Sequence, residues 1–314
     1  MFSFLSVRRK PGWVALLPQG DRIALAHVVR GAGVRPEILR LDSFAVEHDE
    51  TEALQRLRSA RQLKSYACTT LMAAGEYTIS QVDAPNVPAA ERKEAVRWGL
   101  KGVVDYAVDT ACVDVLDIPM EGAGAGRQAS VFAVSASEQA VRARIAPFEA
   151  AKIPLAAVDV PEMAQRNIAA LFEDENRGLA FLRLDSTGGA LTLTFHGELV
   201  ALRRVEVPAT QLADSNADRR AQAMERLVLE LQRSLDNFDR QYSHIPISKL
   251  VVAVYPQPDG LAAELGESLY VPVLAMDLAQ VMDFPGLPEL ADLPRQAMNL
   301  LLIGAALRTD EVAA

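Results

Sequence analysis

Residues 178–207 read GLAFLRLDSTGGALTLTFHGELVALRRVEV. Three apolar runs of strand length, 179–184, 190–196 and 199–207, are parted by short turns at Asp185 to Gly189 and at Gly197 and Glu198. Runs of this length bounded by Gly, Asp and Ser predict an antiparallel meander. The same order has already occurred once. Residues 13–17, 22–30 and 37–44 are three strands, the first two joined by a turn at Pro18, Gln19, Gly20 and Asp21. In each half the meander is followed by a helix, a strand, a helix and a strand.

In the first half these are a helix over 50–62 with Leu54, Leu57 and Arg61 at helical spacing, a strand over 66–71, a helix over 138–151 and a strand over 155–160. In the second, a polar stretch over 213–221 leads to a long helix over 222–242. Its stripe of Met224, Leu227, Val228, Leu231, Leu235, Phe238 and Tyr242 is a core-facing face. A strand over 249–255, a helix near Ala262, a strand over 270–274 and a closing helix around 295–307 follow. Pro161 opens a helix to Phe172 that joins the halves.

An order of elements repeated without residue identity implies two similar lobes facing each other across a cleft. Residues 77–135 have no counterpart in the second half and form an insertion: a strand over 77–82, a helix over 89–100 announced by Pro88, and strands over 110–118 and 129–135. Gly122, Gly124 and Gly126 alternate in the run 121–127, but no helix follows, so the run predicts a flexible hairpin connection and not a phosphate loop. The expected organisation is a first lobe over 1–76, an inserted subdomain over 77–135, the closing part of the first lobe and a hinge over 136–175, and a second lobe over 176–314.

The 314 residues carry 32 Lys+Arg against 41 Asp+Glu, a net charge of −9, which argues against general nucleic-acid binding. Half the residues are hydrophobic, as in a globular chain. Cys68 and Cys112 form no CxxC, and the four histidines lack metal-ligand spacing, so no metal is expected and a reducing compartment is. No apolar run reaches the ~20 residues of a membrane span, and no signal peptide is visible, which predicts a cytoplasmic protein. At the N-terminus, Phe2, Phe4 and Leu5 precede Arg8, Arg9 and Lys10; this is either a frayed solubilising end or a contact for an anionic membrane surface.

Several segments resemble, in order, the PilM-like pilus assembly proteins. Val158, Asp159, Val160, Pro161 and Glu162 resemble the family's hinge, and residues 229–235 (LELQRSL) its long helix. Gly197, Glu198 and Leu199 with Arg203 and Arg204 resemble its second-lobe hairpin, and Ala95, Val96, Arg97 and Trp98 the helix of its inserted subdomain. Residues 13–28 look most like the MSHA pilus biogenesis branch of the family, the MshI-like proteins. The resemblance implies an α/β, actin-like (ribonuclease H-like) two-lobed fold with an inserted subdomain in the first lobe. It implies a non-catalytic cytoplasmic scaffold, peripherally associated with the inner membrane, that binds the cytoplasmic N-terminal tail of a single-pass inner-membrane pilus protein and contacts the pilus motor ATPase. A related class, the cytoplasmic domains of type II secretion systems, normally continues into a membrane span.

Actin-like clefts hold Mg-ATP between two hairpin turns. Here the first turn lacks the family's Asp-x-Gly, and Pro18 removes a donor. The second keeps Asp185, Ser186, Thr187, Gly188 and Gly189, which read either as a vestigial phosphate cradle or as an ordinary hairpin turn. Tyr255, Pro256, Gln257 and Pro258 stand where the family places Gly-Gly against the adenine. Glu230, Arg233 and Ser234 match positions that flank the nucleoside in relatives, or are the solvated face of their helix. ATP and Mg are therefore disfavoured as cofactors, with an ATP-binding switch or ATPase as the alternative function. For the partner tail, the resemblance implies a groove between first lobe and insertion, lined by the helix 89–100 and the strands near Val113. Arg97 and Trp98 are the candidate contacts, with core packing beside Val96 and Leu100 the favoured reading of Trp98.

Overall fold

The computed structural model describes residues 9–31, 35–119 and 129–309. The expectations for residues 1–8 and for the Gly/Ala run 121–127 lie outside them. The first lobe contains β1 (Trp13–Gln19), β2 (Arg22–Val29), β3 (Glu37–Ala45), α1 (Glu50–Arg61) and β4 (Ala67–Leu71). The insert holds β5 (Thr78–Asp83), α2 (Ala89–Gly99), β6 (Cys112–Asp117) and β7 (Ser130–Ala136). The chain then returns through α3 (Glu138–Ala150) and β8 (Leu155–Asp159), and α4 (Pro161–Ala169) leads away. The second lobe is built from β9 (Gly178–Asp185), β10 (Gly188–Phe195), β11 (Glu198–Val205), a short α5 (Ala209–Leu212), α6 (Ala217–Gln241), β12 (Ile247–Val254), α7 (Leu261–Ser268), β13 (Val273–Ala275), α8 (Leu293–Met298) and α9 (Leu300–Ala306).

The two five-stranded sheets have one topology. The first is ordered β3-β2-β1-β4-β8 and the second β11-β10-β9-β12-β13, each with an antiparallel meander followed by two parallel strands. Alternate residues of the inner strands enter different cores, so both faces of each sheet are buried and the strands read as nearly continuous apolar runs. Val14 and Leu16 pack with Leu54, Leu57 and Phe148 from α1 and α3. Ala15 and Leu17 face the opposite way, into a cluster with Ala164 and Ile168 of α4, Ile303 of α9, and Phe181 and Val251 of the second sheet. Leu182 and Val252 enter a third cluster with Leu227, Leu231 and Leu235 of α6.

The central layer is an exchange. α4, which follows the first lobe, packs on β9, β10 and β11, while α9 at the end of the second lobe packs on β1, β2 and β4. Where the helices cross, a Cβ on Gly304 would overlap the carbonyl oxygen of Ala164 and lie 2.7 Å from its carbon. Asn167 Nδ2 donates to the Gly304 carbonyl at 2.9 Å, and Gln165 Nε2 donates to the carbonyls of Phe181 and Ala190. Arg308 closes the arrangement on Asp159 at 2.7 Å.

The insert is a three-stranded sheet, β5-β7-β6. Val131 and Ala133 pack with Val96 and Leu100 of α2. Phe132 and Ala136 join the second lobe's outer cluster, and Gln81 Nε2 donates to Tyr242 Oη at 3.3 Å.

Several boundaries differ from expectation. The first hairpin turn is only Gly20 and Asp21, because Pro18 and Gln19 pair with Ile23 and Arg22; Gly20 at φ 68° supplies the first position of a primed turn. The second-lobe turn shrinks to Ser186 and Thr187, and the next is His196 and Gly197, with Glu198 already in β11. The long helix starts five residues earlier than 222, since Asn216 caps it by accepting from Arg219 N at 3.0 Å. The helix from Pro161 ends at Ala169, and Leu171 and Phe172 close with three-residue turns. The strand expected over 270–274 is confined to Val273–Ala275, after Pro272, which has no N–H to donate. The closing helix is broken at Asn299, whose side chain takes the Arg295 carbonyl at 2.8 Å.

Candidate functional site

The hairpin tips of the two lobes, β1–β2 and β9–β10, meet over α4 and α9, leaving two cavities that share Leu17, Gln19, Arg183, Asp185 and Leu301. The first, about 530 Å³, extends toward the insert past Met72, Tyr77, Arg144 and Glu162 at the start of α4. The second, about 550 Å³, extends past Leu41, Tyr255, Arg295 and Met298 before the start of α9. The sheet repeat explains the pair: each cavity lies off the end of one lobe's fourth strand, beside the other lobe's meander.

Several polar groups at the first cavity are bonded to one another or to their neighbours, while Arg183 Nε is buried without a hydrogen-bond partner. Tyr77 Oη donates to Glu162 Oε2 at 2.6 Å, and burial together with that carboxylate's charge pushes the phenol well above its ordinary pKa. Glu76 accepts from Arg144 Nη2 at 2.6 Å and from Ala73 N at 2.8 Å; burial would raise its pKa, but these partners hold it below the ordinary value. Asp185 behaves alike. Its Oδ1 accepts from Thr187 N at 2.8 Å and Thr187 Oγ1 at 2.6 Å, and its Oδ2 from Arg183 Nη1 at 2.6 Å. Burial opposes ionisation, and the bonds from Thr187 and Arg183 outweigh it and keep the carboxyl below its ordinary range.

These contacts test the cleft against Mg-ATP. Asp185, Ser186, Thr187 and Gly188 have the residue pattern of a type I turn, with Asp first and Gly fourth, and the Asp185 side chain closes it locally. The glycines are accounted for by the sheet. At Gly188, with φ 117°, a Cβ would come 2.7 Å from the Val205 carbonyl, and at Gly189 it would overlap the Arg183 carbonyl. Pro18 pairs within β1 and offers no N–H. Tyr255, just after β12, lines the second cavity. Glu230, Arg233 and Ser234 line neither cavity; the Ser234 hydroxyl donates to the Glu230 carbonyl at 2.7 Å along α6, and Arg233 faces solvent. The residues present do not fit the nucleotide and its metal. Among the described residues no group of three His, Cys, Asp or Glu is placed to hold a metal ion.

Trp98 is not a core residue. Its neighbours Val96 and Leu100 are buried under α2, but Trp98 is 51% exposed. Its indole Nε1 donates to Glu94 Oε1 at 2.9 Å, while Glu94 Oε2 binds Arg97 Nη1 at 2.7 Å, so the ring is held in place on the surface. Val103, 56% exposed, follows shortly after the helix. Within the insert, α2 lies directly on the strands near Val113. Val113 and Val115 pack under α2, and Lys93–Asp114 and Arg92–Asp117 ion pairs fasten helix to strand.

Tyr77, Glu162, Arg144 and Arg183 are absent from the sequence-derived site. Arg183 was legible, because residues two apart on a strand share a face and Arg183 precedes Asp185 by two. The Tyr77–Glu162 pair joins residues 85 apart and leaves no such trace.

No family model matches the sequence, and no curated protein matches it. Among solved structures, a chain of the "PilM-PilN type IV pilus biogenesis complex" superposes with a TM-score of 0.73 at 18% identity, over 95% of this chain and 98% of that one. The fold is actin-like. The cytoplasmic domain of EpsL, an inner-membrane component of the Vibrio cholerae type II secretion system, covers 95% of each chain with a TM-score of 0.48 at 13% identity. A Bacteroides thetaiotaomicron protein of actin-like ATPase fold covers 96% of this chain and 99% of its own, with a TM-score of 0.45 at 10% identity. Among the described residues no helix is long and apolar enough to cross a membrane.

Proposed function

We propose that this protein is a non-catalytic scaffold of a type IV pilus assembly machine, of the MSHA type, working at the cytoplasmic face of the inner membrane. It grips the cytoplasmic N-terminal tail of a single-pass membrane protein, and the pilus motor ATPase is its second contact. The observation that carries this reading is the likeness, over nearly the whole chain, to a chain of a pilus biogenesis complex. The internal bonding of Asp185 by Arg183 and Thr187 supports it, because both oxygens of that carboxylate are already engaged and are not free to orient a metal ion.

Trp98, pinned by Glu94 and flanked by Arg97, is the anchor we assign to the tail. Trp and Arg dominate the energetics of protein interfaces, and a ring already held in its rotamer has less entropy to lose on binding. Calorimetric titration with a synthetic tail peptide tests this. Micromolar binding is expected, with Trp98→Ala weakening it at least tenfold, about 1.4 kcal/mol, at unchanged melting temperature. No binding by the unaltered protein at those concentrations counts against the scaffold. A thermal shift with Mg-ATP examines the switch alternative: a ligand at 100 times its dissociation constant adds about 2.7 kcal/mol, and no shift is expected.

A further inference from the structure

The lobes also meet away from the cleft. β3 is an edge of the first sheet, and an edge presents unpaired N–H and C=O groups. The second lobe fills part of that edge. Ile38 N donates to the Asp283 carbonyl at 2.8 Å, and Asp283 N donates to the Pro36 carbonyl at 2.9 Å, so Glu37 and Asp283 form an isolated parallel bridge. Arg35 secures it. Its Nη2 donates to the carbonyls of Ala279 at 2.6 Å and Met282 at 2.8 Å, and its Nε lies 3.3 Å from Asp283 Oδ1. Ile38 and Met282 beneath the bridge are buried in the central cluster. Through the insert, Gln81 ties the first lobe's chain to Tyr242 of the second.

We infer that the Arg35–Asp283 clamp holds the two lobes in a single relative orientation, so that the cleft does not open and shut by lobe rotation. Rotation about the crossing of α4 and α9 moves β3 relative to residues 279–283. It must therefore break both backbone bonds and withdraw the guanidinium from two carbonyls at once. The alternative is a hinged pair of lobes whose equilibrium a ligand shifts.

The test is a distance measurement between spin labels on the full chain. Cys112→Ser removes the exposed thiol, and cysteines replace Glu52 on α1 and Glu267 on α7, both exposed. One narrow distance distribution is expected, identical with and without millimolar Mg-ATP. Arg35→Ala, a half-exposed position whose loss leaves both cores intact, is expected to add a second population. Two populations in the parent protein, a shift on adding Mg-ATP, or an Arg35→Ala distribution matching the parent would each overturn the inference. The outcome is independent of whether a pilus protein binds.

Discussion

Replacing Gly304 by Ala probes the helix exchange directly. The added methyl must enter space occupied by the Ala164 carbonyl, with the carbonyl carbon 2.7 Å and the Ala164 Cα 3.2 Å from the new atom. These are backbone atoms in the middle of α4 and cannot swing aside, so the two helices must separate. Overpacking of a tight core costs about 1–3 kcal/mol. Separation also stretches the Asn167–Gly304 hydrogen bond, and a buried amide left without its partner costs about 1–3 kcal/mol. Against this, Ala is favoured over Gly in a helix by about 1 kcal/mol. The net expectation is a loss of about 1–5 kcal/mol, read as a lower urea midpoint at unchanged slope. Gly266→Ala on α7 is the matched control: the nearest atom to its new Cβ is Val273 Cβ at 4.0 Å, so the same chemical change should stabilise by a few tenths to about 1 kcal/mol. A Gly304→Ala variant as stable as the parent, with Gly266→Ala behaving as described, would refute the close crossing.

His27 is buried on β2, and its ring donates to the Pro11 carbonyl at 3.0 Å. Burial, reinforced by Arg40 and Lys10, lowers its pKa below 6.5. Below that pH the unfolded chain takes up a proton that the folded one refuses, so stability falls as pH drops through 6.5 and levels off once the folded pKa is passed. The slope should flatten in His27→Gln, followed by urea midpoints between pH 7 and 5. Burial pushes the Cys68 thiol up to about 12, whereas Cys112 is exposed on β6. One equivalent of a thiol reagent should react with the folded protein and a second only on denaturation; prompt reaction of both would contradict the buried site. Tyr77→Phe removes the donor to Glu162 and should cost about 1.5–3 kcal/mol, as for a hydrogen bond to a charged group. A midpoint unchanged in Tyr77→Phe would show that the pair contributes nothing.

The repeat was legible in the sequence because both faces of each sheet are buried. That makes β1, β2, β9, β10 and β12 long apolar runs, parted by turns whose Gly and Asp residues are required by the backbone. Boundaries failed where local hydrogen bonding decides them: at Asn299, whose side chain and backbone N–H both donate to the Arg295 carbonyl where the closing helix divides, or at Asn216, which starts a helix early. The geometry of the second-lobe turn was legible, since it is local. Trp98 was ambiguous, because helical spacing beside Val96 and Leu100 does not say on which side of the buried stripe a ring falls. What escaped was built across the lobes. Tyr77 with Glu162, Gln81 with Tyr242, and Arg35 with residues 279–283 are brought together by topology, with no pattern in either partner.

The helix exchange also bears on how the protein is made. The inner face of the first sheet is covered by Leu300–Ala306, which leave the ribosome only after every strand of the second sheet has been made. Throughout synthesis of the second lobe, Ala15, Leu17 and Ala26 have no lid of their own. The first lobe therefore cannot finish folding before the second has been made, and a chain truncated before Leu300 should be a client of chaperones rather than a free-standing domain.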